Sequence, residues 1–196
     1  MNNNISIFSV SLTSLRLAVL VFLVFGLLYS LLGVGIGQVL APGKANGSLI
    51  VQNKQAQGSE LVGQTFTDPK YFTGRPSAAK NDPMAVAGSN MARSNPELQS
   101  LIALREAELR ERLGLMADQP VPSDLLTASG SGIDPHISPQ SALIQVKSVA
   151  GARGVSEDVV QQLVEQHTEQ PQFGILGQAR VNVLQLNRAL DSMNPS

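Results

Sequence analysis

The chain contains one stretch that few water-soluble folds can accommodate. Between Arg16 and Lys44 no residue is charged, and residues 17–40, LAVLVFLVFGLLYSLLGVGIGQVL, are mostly apolar. A bilayer's hydrocarbon core is about 30 Å thick, and at about 1.5 Å per residue roughly 20 helical residues cross it. A domain of this size rarely buries so long an unbroken stretch. The rival reading is a secretory signal peptide, whose apolar region is usually about 7–15 residues and ends at a small-x-small cleavage site. Here the nearest such triplet, Val39-Leu40-Ala41, is followed by Pro42, a poor residue to cut before. The pattern predicts a retained transmembrane helix over 17–40, with a short tail over 1–16 and a soluble domain over 41–196. Charge does not orient it: Arg16 and the terminal amine precede the span, Lys44 and Lys54 follow it, and the positive-inside count is close to a tie. Gly33, Gly35 and Gly37 suit close helix approach or a loosened helix end, or are merely tolerated in a lipid-facing helix.

Length leaves room for one ordinary domain beside this helix. Fourteen basic and fifteen acidic side chains give a net charge of -1, so there is no electrostatic footprint for nucleic acid. The chain has no cysteine, which excludes disulfides, thiolate nucleophiles, cysteine-bound zinc and iron–sulfur clusters. His136 and His167 are the only two histidines.

The pattern after Pro42 predicts a small α+β, helix-rich domain. GSLIVQ (47–52) and SELVGQTF (59–66) carry short apolar runs suited to strands. Residues 68–83, DPKYFTGRPSAAKNDP, read as a loop holding Tyr71 and Phe72 beside Arg75. Aromatics and arginine dominate interface anchors, so these three are a candidate recognition patch; equally, the two aromatics suit a core. The strongest helix is SNPELQSLIALREAELRERLGL. Ser94 with Glu97 forms a capping-box pattern, Pro96 suits the first turn and Gly114 the stop. Leu98, Leu101, Ile102, Leu109 and Leu113 form its apolar stripe, with Glu106–Arg110 and Glu108–Arg112 as i,i+4 pairs on the solvated side. A second helix starts at Ser138-Pro139 and carries Ala142, Leu143, Val146, Val149 and Ala150 before Gly151 to Gly154 end it. A third starts at Ser156, turns Val159, Val160, Leu163 and Val164 inward, and closes at His167. A last one, over 182–192, places Val183, Leu186 and Leu190 on one side.

Residues 127–143, TASGSGIDPHISPQSAL, concentrate the chemically versatile side chains. Ser131, Asp134 and His136 are the residue types of a catalytic triad, but a triad needs the base to touch the nucleophile while the acid orients it from the far side. Three residues within six positions, with Pro135 between acid and base, favour a turn instead. A membrane-tethered serine hydrolase using Ser129 or Ser131 with His136 is the alternative reading, and a free-standing binding module a third. No lysine follows Gly130 or Gly132 as a P-loop demands, and GSGIDP breaks the dinucleotide fingerprint after its second glycine. A glycine-rich loop leading into a capped helix start still presents N–H groups to an anion. Asp134 with His136, or His167 with Glu169, offers two metal ligands where three or four are needed.

Several stretches, taken in order, resemble the C subunit of the bacterial potassium-transporting Kdp complex, a P-type ATPase assembly. They are ANGSLI, GSELVGQTF, YFTGRPSA, GSNMARSNPEL, TASGSGIDPHISPQSA, ARG and RVNVLQLNRALD, and they cover nearly the whole chain after its one span. Ala87-Gly88-Ser89-Asn90 and Gln178-Ala179 depart modestly from the family's usual Gly-Gly-Ser-Asn and Glu-Pro. The resemblance implies a non-catalytic accessory subunit of a high-affinity, ATP-driven potassium uptake system. Its implied partners are a channel-like potassium-binding subunit, a P-type subunit that hydrolyses ATP, and the lipid membrane. The chain itself has no Asp-Lys-Thr-Gly phosphorylation motif. The resemblance carries two roles: stabilising the assembly from the outer face of the bacterial inner membrane, and raising the hydrolytic subunit's affinity for ATP. For either contact the candidates are Ser129, Gly130, Ser131, Gly132, Asp134, His136, Gln140 and Gln145. A domain on the outer face cannot touch cytoplasmic ATP, so the structural role is the expected one. ATP and potassium then belong to the complex, with no cofactor bound by this chain.

Overall fold

The computed structural model describes residues 6–52 and 54–193; the first five residues of the expected tail lie outside them. The chain divides into two compact units, residues 1–49 and 50–196.

In the first unit, α1 (Ile7–Val21), a π-wound segment (Phe22–Leu28) and α2 (Tyr29–Leu40) run on as a single 34-residue helix, Ile7–Leu40, long and apolar enough to cross a membrane. Helix therefore takes in most of the segment expected as tail. Two of its hydroxyls bond back to the helix's own carbonyls, Thr13 to Ser9 and Ser30 to Gly26, an arrangement suited to an apolar solvent. Gly33 and Gly35 face open space in the chain itself. Ala41, at φ -148°, breaks the helix, and Pro42 opens the short α3 (Pro42–Ala45).

Two paired strands come next, β1 (Leu49–Gln52) and β2 (Gln55–Ser59). Residues 60–66, expected to be strand, are irregular instead. The backbone there is drawn to a distant segment: the Gly63 N–H donates to the Ile133 carbonyl at 2.7 Å, and a Cβ on Gly63 would lie 2.7 Å from the Asp134 carbonyl oxygen. Close backbone approach, not a β ladder, is what this glycine provides.

α4 (Pro96–Leu113) follows the expected bounds and ends at Gly114 in the left-handed region, φ 64°. Its cap differs: Asn95, not Ser94, accepts the Glu97 N–H, at 2.9 Å. Glu106–Arg110 pairs as expected, at 2.7 Å, but Arg112 reaches across to the Thr73 hydroxyl. The stripe from Leu98 to Leu113 is half-buried, with Leu113 alone buried.

The remainder builds the core. α5 (Ser123–Leu126) and β3 (His136–Ile137) lead into α6 (Pro139–Leu143) and α7 (Val146–Arg153). Then come α8 (Glu157–Gln166), β4 (Thr168–Glu169), β5 (Arg180–Asn182) and α9 (Val183–Met193). Strands pair antiparallel in the order β3-β5-β4, with Ile137 opposite Val181 and Thr168 opposite Val181. Ser138 caps α6 by accepting the Ser141 N–H at 3.1 Å. The expected single helix over 139–150 is two, broken at Ile144-Gln145, because Gln145 is turned to a tertiary task described below. Val160, Leu163 and Val164 of α8 face Leu186 and Leu190 of α9, whereas Val159 is 43% exposed, corrected from its expected inward position. Phe72, fully buried, belongs to this cluster, worth about 1.5–3 kcal/mol for a side chain of its class.

Candidate functional site

Residues 127–134 form a packed turn. Ser129 is 3% exposed; its hydroxyl accepts the Gly132 N–H at 2.9 Å, and its own N–H donates to the Pro76 carbonyl at 3.2 Å. The Ser131 hydroxyl accepts the Ile133 N–H at 3.2 Å. Ser77 donates to the Gly132 carbonyl from the other side. Gly132 sits at φ 74°, and a methyl group there would run into the Ala87 carbonyl oxygen. Gly130 is exposed with open space around its Cα.

Asp134-Pro135-His136 is the expected turn, and it feeds directly into β3. The Asp134 carboxylate accepts the His136 N–H at 3.0 Å and an Arg75 Nη1–H at 3.1 Å; the His136 Nδ1 lies 3.5 Å away. Burial pushes this carboxyl up. The side-chain and backbone hydrogen bonds from His136, with the hydrogen bond and charge of Arg75, outweigh that and hold it below the usual carboxylate range. Neither Ser129 nor Ser131 is hydrogen-bonded to His136: both hydroxyls serve their own turn. The nucleophile–base contact that a serine hydrolase requires is therefore not made.

An acid that the sequence pattern does not single out organises the next step. Asp124, in α5, accepts the Ser138 N–H at 2.7 Å and the hydroxyls of Ser138 and Ser141 at 3.3 and 2.5 Å. Two serines and an aspartate meet here and fix the start of α6. A lone acidic residue well upstream of a serine-proline cap is too weak a pattern to announce it.

Gln145, 1% exposed, is a clamp. Its carbonyl oxygen accepts both the Thr73 N–H and hydroxyl, at 2.9 and 3.0 Å, and its amide donates to the Thr73 and Ser141 carbonyls. Asn187 treats Phe72 in a similar way. Tyr71 donates its hydroxyl to Asp191 at 3.0 Å and lies beneath the Arg153 guanidinium, 5.1 Å from ring centre. Of the three candidate interface residues, Phe72 is core, and Tyr71 and Arg75 are half-buried.

An open groove of about 1130 Å³ gathers some of the candidates and leaves out the rest. Arg75, Asp134, His136 and Gln140 line it with Asp124, Val121, Leu143, Ile144 and Arg180; Ser129 to Gly132 and Gln145 do not. Its two arginines are already paired, Arg75 with Asp134 and Arg180 with Glu169 at 2.9 Å. Each guanidinium on the wall is thus already engaged by a carboxylate, and the hydroxyls of Ser129 and Ser131 accept N–H groups of their own turn. Among the described residues no group of three or more His, Asp or Glu side chains is placed to hold a metal ion. His167 Nδ1 contacts the Leu163 carbonyl at 2.9 Å at the end of α8.

One helix long and apolar enough to cross a membrane, followed by an α+β unit whose Ser129, Ser131, Gln145 and Asn187 side chains bond the chain's own backbone, is the build of a membrane-associated subunit. Comparison with known proteins gives the same class a family. Residues 11–192 match the model of KdpC, the c chain of K+-transporting ATPases. The chain is 54% identical over 178 residues to the potassium-transporting ATPase KdpC subunit of Xanthomonas campestris, covering 91% of this chain and 85% of that protein. It is 46% identical over 183 residues to the subunit of the same name from Serratia proteamaculans, covering 92% and 96%. A third, from Methylococcus capsulatus, is 49% identical over 178 residues, covering 87% and 91%. The chain belongs to the KdpC family.

Proposed function

We propose that this chain is the accessory subunit of an ATP-driven potassium uptake complex in the bacterial inner membrane, and that it stabilises the assembly. The observation that carries this is the family match across 11–192, joined to a domain with no assembled catalytic group among its described residues. The helix Ile7–Leu40 is the span. The unit beyond it stands on the outer face and meets the channel-like, potassium-carrying subunit, while the P-type subunit hydrolyses ATP on the opposite side. Raising ATP affinity by direct contact is the less favoured role. A unit on the outer face stands away from cytoplasmic ATP, and the groove's two arginines are each already paired with a carboxylate.

Deleting the chain tests the proposal: the remaining subunits should copurify poorly and potassium uptake should fall. Intact assembly with unchanged uptake would sink it. Orientation is read separately with Gly130→Cys, an exposed site with room for a side chain in a chain free of cysteine. An impermeant thiol reagent should label it from outside intact cells; labelling only after the cytoplasmic face is opened would reverse the assignment.

A further inference from the structure

Between β4 and β5 the chain makes a small closed hairpin that the site and the core do not use. Gln172 and Leu176 pair across it, each N–H donating to the other's carbonyl at 2.9 Å. The Ile175 N–H closes a turn onto the Gln172 carbonyl at 3.2 Å. The two central residues, Phe173 and Gly174, have φ of 55° and 76°. Positive φ at both central positions is the mark of a type I′ turn, which favours Asn, Asp or Gly at the first of them. A bulky aromatic there strains the backbone and satisfies nothing in the fold, since Phe173 is 91% exposed. Ile175 and Leu176 beside it are 82% and 56% exposed. A sequence that breaks its local rule without a packing gain in the monomer places the gain elsewhere.

We propose that this hairpin is a docking knob whose Phe173, Ile175 and Leu176 insert into an apolar socket on the channel-like subunit of the assembly. The inference rests on the subunit role given above. Residues 170–179, QPQFGILGQA, carry no charge, and the flanking Glu169 and Arg180 neutralise each other at 2.9 Å. The knob therefore lacks the basic residues with which surface elements meet lipid phosphates. It also runs directly into Gln178, Ala179 and Arg180, one wall of the groove. A rigid apolar knob beside a charge-balanced groove is the surface of a protein contact, with an aromatic anchor at its tip.

Two substitutions test this on the whole chain. With Ile175→Cys, the reaction rate of a water-soluble maleimide is followed by mass on this chain's own peptide, once in lipid nanodiscs containing the chain alone and once in the purified assembly. Fast labelling alone, slowed on the order of tenfold or more in the assembly, supports the socket. Slow labelling in nanodiscs without other subunits assigns the knob to lipid, and fast labelling in both leaves it free; either overturns the proposal. Phe173→Gly removes the anchor and relieves the backbone. The thermal midpoint of the full chain should hold or rise while retention of the other subunits falls at least about tenfold. A lowered midpoint with unchanged retention makes Phe173 structural and overturns the knob. Should the chain with native Ile175 and Phe173 fail to copurify with the other subunits, the subunit role itself is wrong, a result distinct from every labelling outcome.

Discussion

Asn187 holds Phe72 by its backbone: its side-chain oxygen accepts the Phe72 N–H at 2.8 Å, and its amide donates to the Phe72 carbonyl at 2.9 Å. One residue on, Gln145 does the same for Thr73. Two buried carboxamides thus stand in for a neighbouring strand and carry an extended segment through the core, with Phe72 pointed inward. Asn187→Ala leaves both Phe72 backbone groups unpaired in an apolar interior. It should cost about 2–4 kcal/mol, read as a lowered midpoint in urea unfolding followed by circular dichroism.

The turn at 129–132 makes opposite demands on its two glycines. Gly132, at φ 74° and with a Cβ position 2.7 Å from the Ala79 methyl carbon, should tolerate no side chain; Gly132→Ala should destabilise by about 3 kcal/mol or more. At Gly130 nothing lies within 4 Å of where a methyl group would stand, so Gly130→Ala should stay within about 0.5 kcal/mol of the parent. Paired thermal melts check the contrast, and equal effects would contradict the packing described.

Asp134 gives a pH signature with a defined sign. Its carboxyl is held below its ordinary value in the folded chain, so the stability it contributes is fully present above the unfolded-state pKa, about 4, and is lost as pH falls through the lower folded value. The stability gap between parent and Asp134→Asn should therefore be constant above about pH 5 and shrink on further acidification. Unfolding series at matched ionic strength from neutral pH downward measure it; a gap that widens with acid would reverse the assignment.

Arg153 ties α7 to two other segments with one planar group. It donates from Nε to the Lys70 carbonyl at 2.7 Å, from Nη1 to the Leu190 carbonyl at 3.2 Å and from Nη2 to Asp191 at 2.7 Å. Lysine keeps the charge but cannot meet three acceptors in that fan, so Arg153→Lys should cost about 1–2 kcal/mol, seen in the same unfolding measurement.

How much of this was legible in the chain follows from the range of each interaction. The long apolar helix, the Ser138 cap, the Gly114 stop, the Asp134 turn and the family signature all rest on near neighbours along the sequence, where spacing and residue type carry the physics. Tertiary structure alone decided that Arg75 meets Asp134 across 59 positions and Phe72 meets Asn187 across 115. It turned Gln145 inward to break a helix that periodicity ran straight through, and it buried Ser129 behind Pro76. Those contacts depend on which surfaces the folded chain brings together. A hydrophobic period records only which face is buried, not what buried polar group waits there to be paired.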